Sequence, residues 1–171
     1  DGRWVPTFPN ARYLLAETEW RYWQEVDNDP LNANILDDSV RPVFDAGLVD
    51  LVDWEHTICE GICLKPTPGH TPGHVSVQIE SEGHRAIITG DFIHHPCQMT
   101  RTDWCSSADY DQGQARATRE TLLEDYADTP VLVIGTHFAT PTAGHIKRSG
   151  GTGYWLDTRT PFSCGSQYNK D

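Results

Sequence analysis

Basic residues and long apolar segments are both scarce in this sequence of 171 residues. Lys and Arg together number 13 against 25 Asp and Glu, so the formal net charge is -12, and no basic cluster interrupts the acidic balance. A nucleic acid is therefore not expected as a partner, because its phosphates require a basic surface. No apolar run approaches the roughly 20 residues that a membrane helix needs, so we expect no membrane partner either.

Several sequence patterns that define other kinds of site are also missing. The five cysteines are an odd number and contain no Cys-x-x-Cys pair, which argues against a disulfide framework or a zinc knuckle. Free thiols indicate a reducing, cytoplasmic setting. The chain has neither a Gly-x-Ser-x-Gly elbow nor a phosphate-binding P-loop, so the sequence indicates neither a serine hydrolase nor a nucleotide hydrolase.

One segment concentrates residues that can carry chemistry. From Pro66 to His74 the sequence is Pro-Thr-Pro-Gly-His-Thr-Pro-Gly-His. Its prolines and glycines predict a turn whose backbone can approach a ligand closely. The following residues Val75–Ile79 alternate as a strand does, so His74 is predicted at the mouth of a strand.

Two more polar residues follow short apolar strands. Asp91 comes one glycine after the predicted strand Ala86–Thr89, and His137 follows the predicted strand Val131–Thr136. Together with His74, they present imidazole, carboxylate and imidazole at three consecutive strand ends. This donor set suits zinc, manganese or ferrous iron, with a position left open for water.

Predicted helices and strands alternate along the chain. The alternation predicts an α/β domain in which helices cover a mixed β-sheet. Ser106 or Ser107 is predicted to cap the longest helix. The predicted helices are Glu17–Val26, Asp38–Ala46 and Asp109–Ala127, and the further strands are Ala11–Ala16, Leu48–Val52, Thr57–Leu64 and a closing hairpin of Ile146–Arg148 with Tyr154–Leu156.

The Thr-Pro-Gly-His-Thr-Pro-Gly-His run, the Gly-Asp pair and the later Gly-Thr-His together resemble the metallo-β-lactamase fold hydrolases, in the lactonase and phosphotriesterase-like branch. The resemblance extends from about Phe8 to about Asp157. It implies half of an αβ/βα sandwich. It also implies that His74 is the third histidine of a first metal site, Asp91 a carboxylate that bridges two metals, and His137 the histidine of a second site.

The ligand cluster His-x-His-x-Asp-His of that family is missing, since no histidine precedes His56. The chain therefore resembles the second half of such an enzyme, with a truncated domain over residues 1–157 and an unpatterned tail over residues 158–171. A lone half of the sandwich would expose one face of its sheet. We therefore expect a homodimer in which a second copy covers that face.

The resemblance implies a metal-dependent hydrolase of small esters, lactones or phosphotriesters. His74, Asp91 and His137 would hold one or two zinc ions, or manganese or iron, and a metal-bound hydroxide would attack the substrate. The acidic surface mildly favours such neutral substrates over phosphate monoesters.

Three residues that follow Asp91 in a predicted loop, Phe92, His94 and His95, are expected to line the substrate pocket. Recruitment of the two histidines to metal is the alternative. We expect His70 to support the turn beside the site, because the resemblance gives the ligand position to the second histidine of the repeat.

A function of another class also fits the sequence. The chain could be an inactive half-domain that binds metal weakly, or a fragment that complements a missing first half. Tight metal binding with turnover that is lost in Asp91→Ala would favour the enzyme, whereas folding without metal and without turnover would favour the fragment.

Overall fold

The computed structural model describes residues 2–26 and 36–159. Strands β1 (Tyr13–Ala16) and β2 (Val49–Val52) pair in parallel as a small sheet. The segment between them contains helix α1 (Glu17–Val26), a π-helical turn (Leu36–Val40) and the short helix α2 (Arg41–Asp45). Helix α1 has the bounds that the sequence predicts.

Seven strands form the main sheet in the same order as in the sequence. Neighbouring strands are antiparallel except β6 and β7, which are parallel, and the chain between these two contains helices α3 and α4. The mixed sheet with helices confirms the predicted α/β class. The elements are β3 (Thr57–Cys59), β4 (Ile62–Pro66), β5 (Val75–Ser81), β6 (His84–Ile88), α3 (Cys97–Thr100), α4 (Gln112–Tyr126), β7 (Leu132–Ile134), β8 (Ala143–Arg148) and β9 (Tyr154–Asp157).

The two faces of the main sheet are covered differently. On one face, Ile87, Val133 and Ile146 are at most 1% exposed and pack in one cluster with Leu122 and Leu123 of α4. The opposite face is also apolar, but the described part of the chain leaves it only half-buried. Its aligned side chains are Ile62, Val77, Ile79, Ala86, Ile88, Leu132 and Ile134, together with Leu64, which is 9% exposed.

Two local predictions are wrong. Thr57–Leu64 is not one strand, because the two residues Glu60 and Gly61 turn the chain into a hairpin of β3 and β4. Helix α4 begins at Gln112, and its cap is Asp111, whose side chain accepts a hydrogen bond from the backbone of Gln114 at 2.9 Å. A carboxylate satisfies the free N–H groups of the first turn as well as the predicted serine would.

The segments that carry the candidate site residues meet at one edge of the main sheet. Strand β5 begins at Val75, whereas β6 and β7 end at Ile88 and Ile134. Because β5 is antiparallel to β6 and β6 is parallel to β7, these three strand termini share an edge. The residues before β5, after β6 and after β7 therefore lie close together, as the strand pattern predicts.

No helix within residues 2–26 and 36–159 combines the length and the apolar character needed to cross a membrane. The division into a domain over residues 1–157 and a tail over 158–171 stays a prediction, because residues 160–171 lie outside the described residues.

Candidate metal centre

The glycines of the histidine turn let its backbone touch two helices. A Cβ on Gly69 would lie 2.2 Å from the backbone nitrogen of Ala115 in α4, and one on Gly73 would lie 2.2 Å from that of Glu19 in α1. No side chain fits at these distances, so both positions need glycine for close approach. The turn is thereby placed between the helices, with His70 and His74 at the sheet edge.

His70 faces Asp91 with one ring nitrogen and is held through the other. Its Nε2 lies 3.3 Å from Asp91 Oδ2, and its Nδ1 lies 3.0 Å from Asp109 Oδ1. The Asp109 side chain is only 1% exposed, and its second oxygen accepts a hydrogen bond from the backbone of Ser106 at 2.8 Å. A buried carboxylate on the far nitrogen is the usual support of a metal-binding histidine.

His74 has both ring nitrogens engaged within the protein. Its Nε2 accepts a hydrogen bond from the backbone N–H of Asp91 at 2.8 Å, so the ring proton lies on Nδ1. Nδ1 lies 3.0 Å from the carbonyl oxygen of Thr67 and 2.7 Å from its hydroxyl. Burial lowers the pKa of His74, which keeps the ring neutral and Nε2 able to accept.

Gly90 makes the contact between His74 and Asp91 close. Gly90 has a φ of +57°, and a Cβ there would lie 2.6 Å from His74 Nε2. The left-handed backbone and the lack of a side chain let the imidazole reach the next N–H group. His74 therefore positions the backbone of Asp91 rather than facing its carboxylate.

His94 completes a group of three possible ligands. One donor atom from each of His70, Asp91 and His94 lies within 4.8 Å of the others. His94 Nε2 is 4.0 Å from Asp91 Oδ2, and its ring centroid is 5.0 Å from that of His70. Burial lowers the pKa of His94, which favours the neutral imidazole that binds metal.

His137 approaches the other oxygen of the same carboxylate. Its Nε2 lies 3.0 Å from Asp91 Oδ1, and its ring stacks on that of His94 at 5.2 Å. The side chain is 47% exposed, so His137 lies at the outer border of the cluster. Asp91 thus has one oxygen toward His70 and His94 and the other toward His137.

The spacing of the donors fits a divalent cation. In a tetrahedral zinc site, nitrogen and oxygen ligands at about 2.0–2.2 Å from the ion lie about 3.4 Å from each other. The distances of 3.3 and 4.0 Å from Asp91 Oδ2 to His70 and His94 bracket this value. The Nδ1 atom of His94 is buried without a hydrogen-bond partner among the described residues.

The structure brings together only part of the predicted site. Asp91, His137 and His94 lie in the cluster, but the contacts of His74 argue against a ligand role. His70, rather than His74, faces the carboxylate of Asp91. Phe92 does not line a pocket, because it is 2% exposed and packs in the hydrophobic core. His95 is exposed, and its Nδ1 accepts a hydrogen bond from a backbone N–H in the next turn.

Asp109 is the residue of the candidate site that the sequence pattern missed. It lies 39 residues after His70 and precedes α4 within a stretch without strand or helix character. Its one sequence signal is the position of an acidic residue just before a helix. That position is also typical of an ordinary capping residue.

Comparison with solved structures gives the same fold. The hydrolase AbOPH in the beta lactamase superfamily matches with a TM-score of 0.77 at 23% identity, over 87% of this chain and 55% of its own. AidC, a dizinc quorum-quenching lactonase, matches with a TM-score of 0.74 at 24% identity, over 88% and 55%. A probable metal-dependent hydrolase from Staphylococcus aureus matches with a TM-score of 0.66 at 18% identity, over 88% and 54%.

The chain thus spans about half the length of these three structures. Comparison with curated proteins gives no match. The family described as the Metallo-beta-lactamase superfamily matches residues 3–137, which is most of the chain and contains every residue of the cluster. The chain belongs to the metallo-beta-lactamase superfamily.

Proposed function

We propose that this chain takes part in metal-dependent hydrolysis and that His70, Asp91 and His94 hold a divalent cation. The observation that carries the proposal is the convergence of these three donors within 4.8 Å. Zinc is the first expectation, with manganese or iron as alternatives, because imidazole and carboxylate ligands suit all three. When bound, such a cation polarises an ester or phosphoryl oxygen and lowers the pKa of water.

The residues around the cation would have distinct tasks. Asp109 holds the His70 ring so that Nε2 faces the site, and His74 fixes the backbone of Asp91. His137, at the exposed border, can accept or donate a proton at Nε2, or share a second ion with Asp91 Oδ1. One or two ions per chain are therefore proposed.

Small neutral esters, lactones or phosphotriesters are the proposed substrate class. Two observations support this choice. The net charge of -12 disfavours anionic substrates. AidC is a lactonase with the same fold.

The test is metal content per chain by elemental analysis, before and after chelation, with hydrolysis of an aryl ester and a phosphotriester measured on the same samples. We expect about one or two ions per chain and turnover that is lost on chelation and restored by zinc. Asp91→Ala should lose both, whereas Asp103→Ala, which removes an exposed carboxylate paired with Arg101, should lose neither. A folded protein without metal or turnover would overturn the proposal.

A second candidate function rests on the open face of the main sheet. The alternative is an inactive half-domain or complementing fragment, and the apolar side chains of that face support it because they call for a covering layer. For the hydrolase, we propose instead that a second copy of the chain supplies this layer as a homodimer. Light scattering should give twice the chain mass at micromolar concentration, and Val77→Lys should restore the monomer. A monodisperse monomer of the unsubstituted chain would contradict the dimer.

We also propose a reducing, cytoplasmic location. All four cysteines in the described residues, Cys59, Cys63, Cys97 and Cys105, are free thiols. Cytoplasmic proteins keep their thiols reduced. Fractionation of the source cells with an antibody against the chain tests this, and recovery outside the cytoplasm would contradict it.

A further inference from the structure

Arg119 is a buried cation that has no carboxylate partner within residues 2–26 and 36–159. It lies on α4 and is 1% exposed, and by volume it is the largest fully buried side chain among the described residues. Among the described residues no acidic side chain reaches ion-pair distance of it. A buried charge requires compensation, because removing it from water costs several kcal/mol or more. The groups that compensate the charge of Arg119 therefore indicate its role in the structure.

These partners are backbone carbonyl groups of the segment 92–105. Nη1 donates to the carbonyl of Phe92 at 3.1 Å, and Nη2 donates to those of Thr102 at 3.2 Å and Trp104 at 2.9 Å. Nη2 also lies 3.6 Å from Cys105 Sγ. The guanidinium thus joins the two ends of a segment that begins directly after Asp91.

A second side chain continues this connection to His94. Gln98 Oε1 accepts a hydrogen bond from the backbone N–H of His94 at 2.7 Å, and its Nε2 donates to the carbonyl of Trp104 at 2.9 Å. The Trp104 carbonyl therefore accepts from both Gln98 and Arg119. Through this shared acceptor, the position of His94 is linked to the core of α4.

We infer that Arg119 is a positioning residue that holds the segment 92–105, and with it His94, in place beside Asp91. The inference deepens the proposed function, on which its consequence for metal binding rests. An apolar residue could fill the same core position. Only a guanidinium, with its planar set of five N–H donors, can reach carbonyls at both ends of the segment.

The test compares Arg119→Lys and Arg119→Gln with Arg116→Lys and Arg116→Gln. Arg116 lies on the same helix but is exposed and paired with Glu120, which contacts the segment only through the Thr102 hydroxyl. Its substitution therefore makes the same chemical change without removing the carbonyl contacts of the segment. The first readout is amide hydrogen exchange of residues 92–105 in metal-free protein. The second readout is the affinity for Co²⁺, measured by titration, together with the visible absorption spectrum of the bound ion.

We expect both Arg119 variants to exchange the His94 amide about tenfold faster or more, while the Arg116 variants match the unsubstituted chain. Co²⁺ affinity should fall by about 10–100-fold with an altered absorption spectrum, as for other supports of a metal ligand. Unchanged exchange in a folded Arg119 variant would overturn the inference, as would unfolding of both variants. Faster exchange with no Co²⁺ binding by the unsubstituted chain would refute the proposed function and leave the positioning role standing.

Discussion

The two halves of the repeat Thr67–His70 and Thr71–His74 have the same four residue types and opposite roles. The ring of His70 faces the carboxylate of Asp91, while a buried acid holds its far nitrogen. The ring of His74 faces the backbone of Asp91, and both of its nitrogens are already engaged within the protein, so neither is free to bind a metal. Identical local sequence therefore leads to different chemistry, because the surroundings of each ring differ.

The partners of each half explain the difference. The first glycine of the repeat packs on α4, which brings His70 next to the loop that precedes that helix and carries Asp109. The second glycine packs on α1, and the strand that follows turns His74 toward Gly90. In the proposed site, the repeat thus supplies one residue that would bind metal and one that places the carboxylate of Asp91.

Matched alanine variants of His70 and His74 should show the largest difference between the two histidines. His70→Ala should weaken zinc binding by about 100-fold or more, beyond the range expected for a supporting residue. His74→Ala leaves the partly buried Asp91 N–H without its partner and should cost about 1–3 kcal/mol in the free energy of unfolding. Chelator competition and urea unfolding measure the two effects. If both variants behaved alike in both assays, the division of roles would be wrong.

An effect of comparable size is expected from substitution at the contact between His74 and Asp91. Gly90→Ala combines a left-handed backbone with a clash at His74 Nε2, so the free energy of unfolding should fall by about 2–4 kcal/mol. Gly83→Ala is the control, because Gly83 has a φ of +77° and open space around it. It should cost about 1–2 kcal/mol from backbone strain alone. Equal losses in the two variants would remove the evidence for a close contact.

Removal of the charge behind His70 should weaken metal binding without unfolding the protein. Asp109→Asn is expected to lower zinc affinity by about 10–100-fold, because the amide supports the ring less strongly than the carboxylate does. Asp111→Asn makes the same charge change two residues later and keeps a good helix cap, so zinc affinity should not change. Isothermal titration calorimetry measures the zinc affinity of both variants. Equal affinities would show that Asp109 does not support a ligand.

The smallest expected effect is in the pH dependence of stability of the metal-free protein. Burial lowers the pKa of His74 below its ordinary value of 6.5, so its contribution is complete above that pH. Below it, the unfolded chain binds a proton before the folded protein does, and stability falls as the pH decreases. His74→Gln should flatten the curve between pH 7 and 5, by about 1 kcal/mol or less. Urea unfolding across this range checks the slope, and identical slopes would contradict the assignment.

Much of the fold follows from local sequence patterns. Helix Glu17–Val26 and the closing hairpin were predictable because their apolar and capping residues act over short distances. The shared sheet edge was predictable because Asp91 and His137 each follow a short apolar strand. The hairpin at Glu60 was missed, since a two-residue turn within an apolar run leaves the alternation nearly intact.

The site was less predictable, because its decisive contacts join distant parts of the chain. Nothing within the repeat distinguishes His70 from His74, and only the position of Asp109 separates their roles. Phe92 adjoins Asp91 in sequence, but its side chain is on the core side of the segment. Arg119 resembles a surface residue of a polar helix until its carbonyl partners are known.

The most direct measurement is the position of zinc in crystals of the zinc-loaded chain, located by anomalous scattering at the zinc absorption edge. We expect a peak bonded to His70 Nε2, an oxygen of Asp91 and a ring nitrogen of His94, with His74 still hydrogen-bonded to the Asp91 backbone. A peak on His74, or no peak at Asp91 in protein that is saturated with zinc, would contradict it.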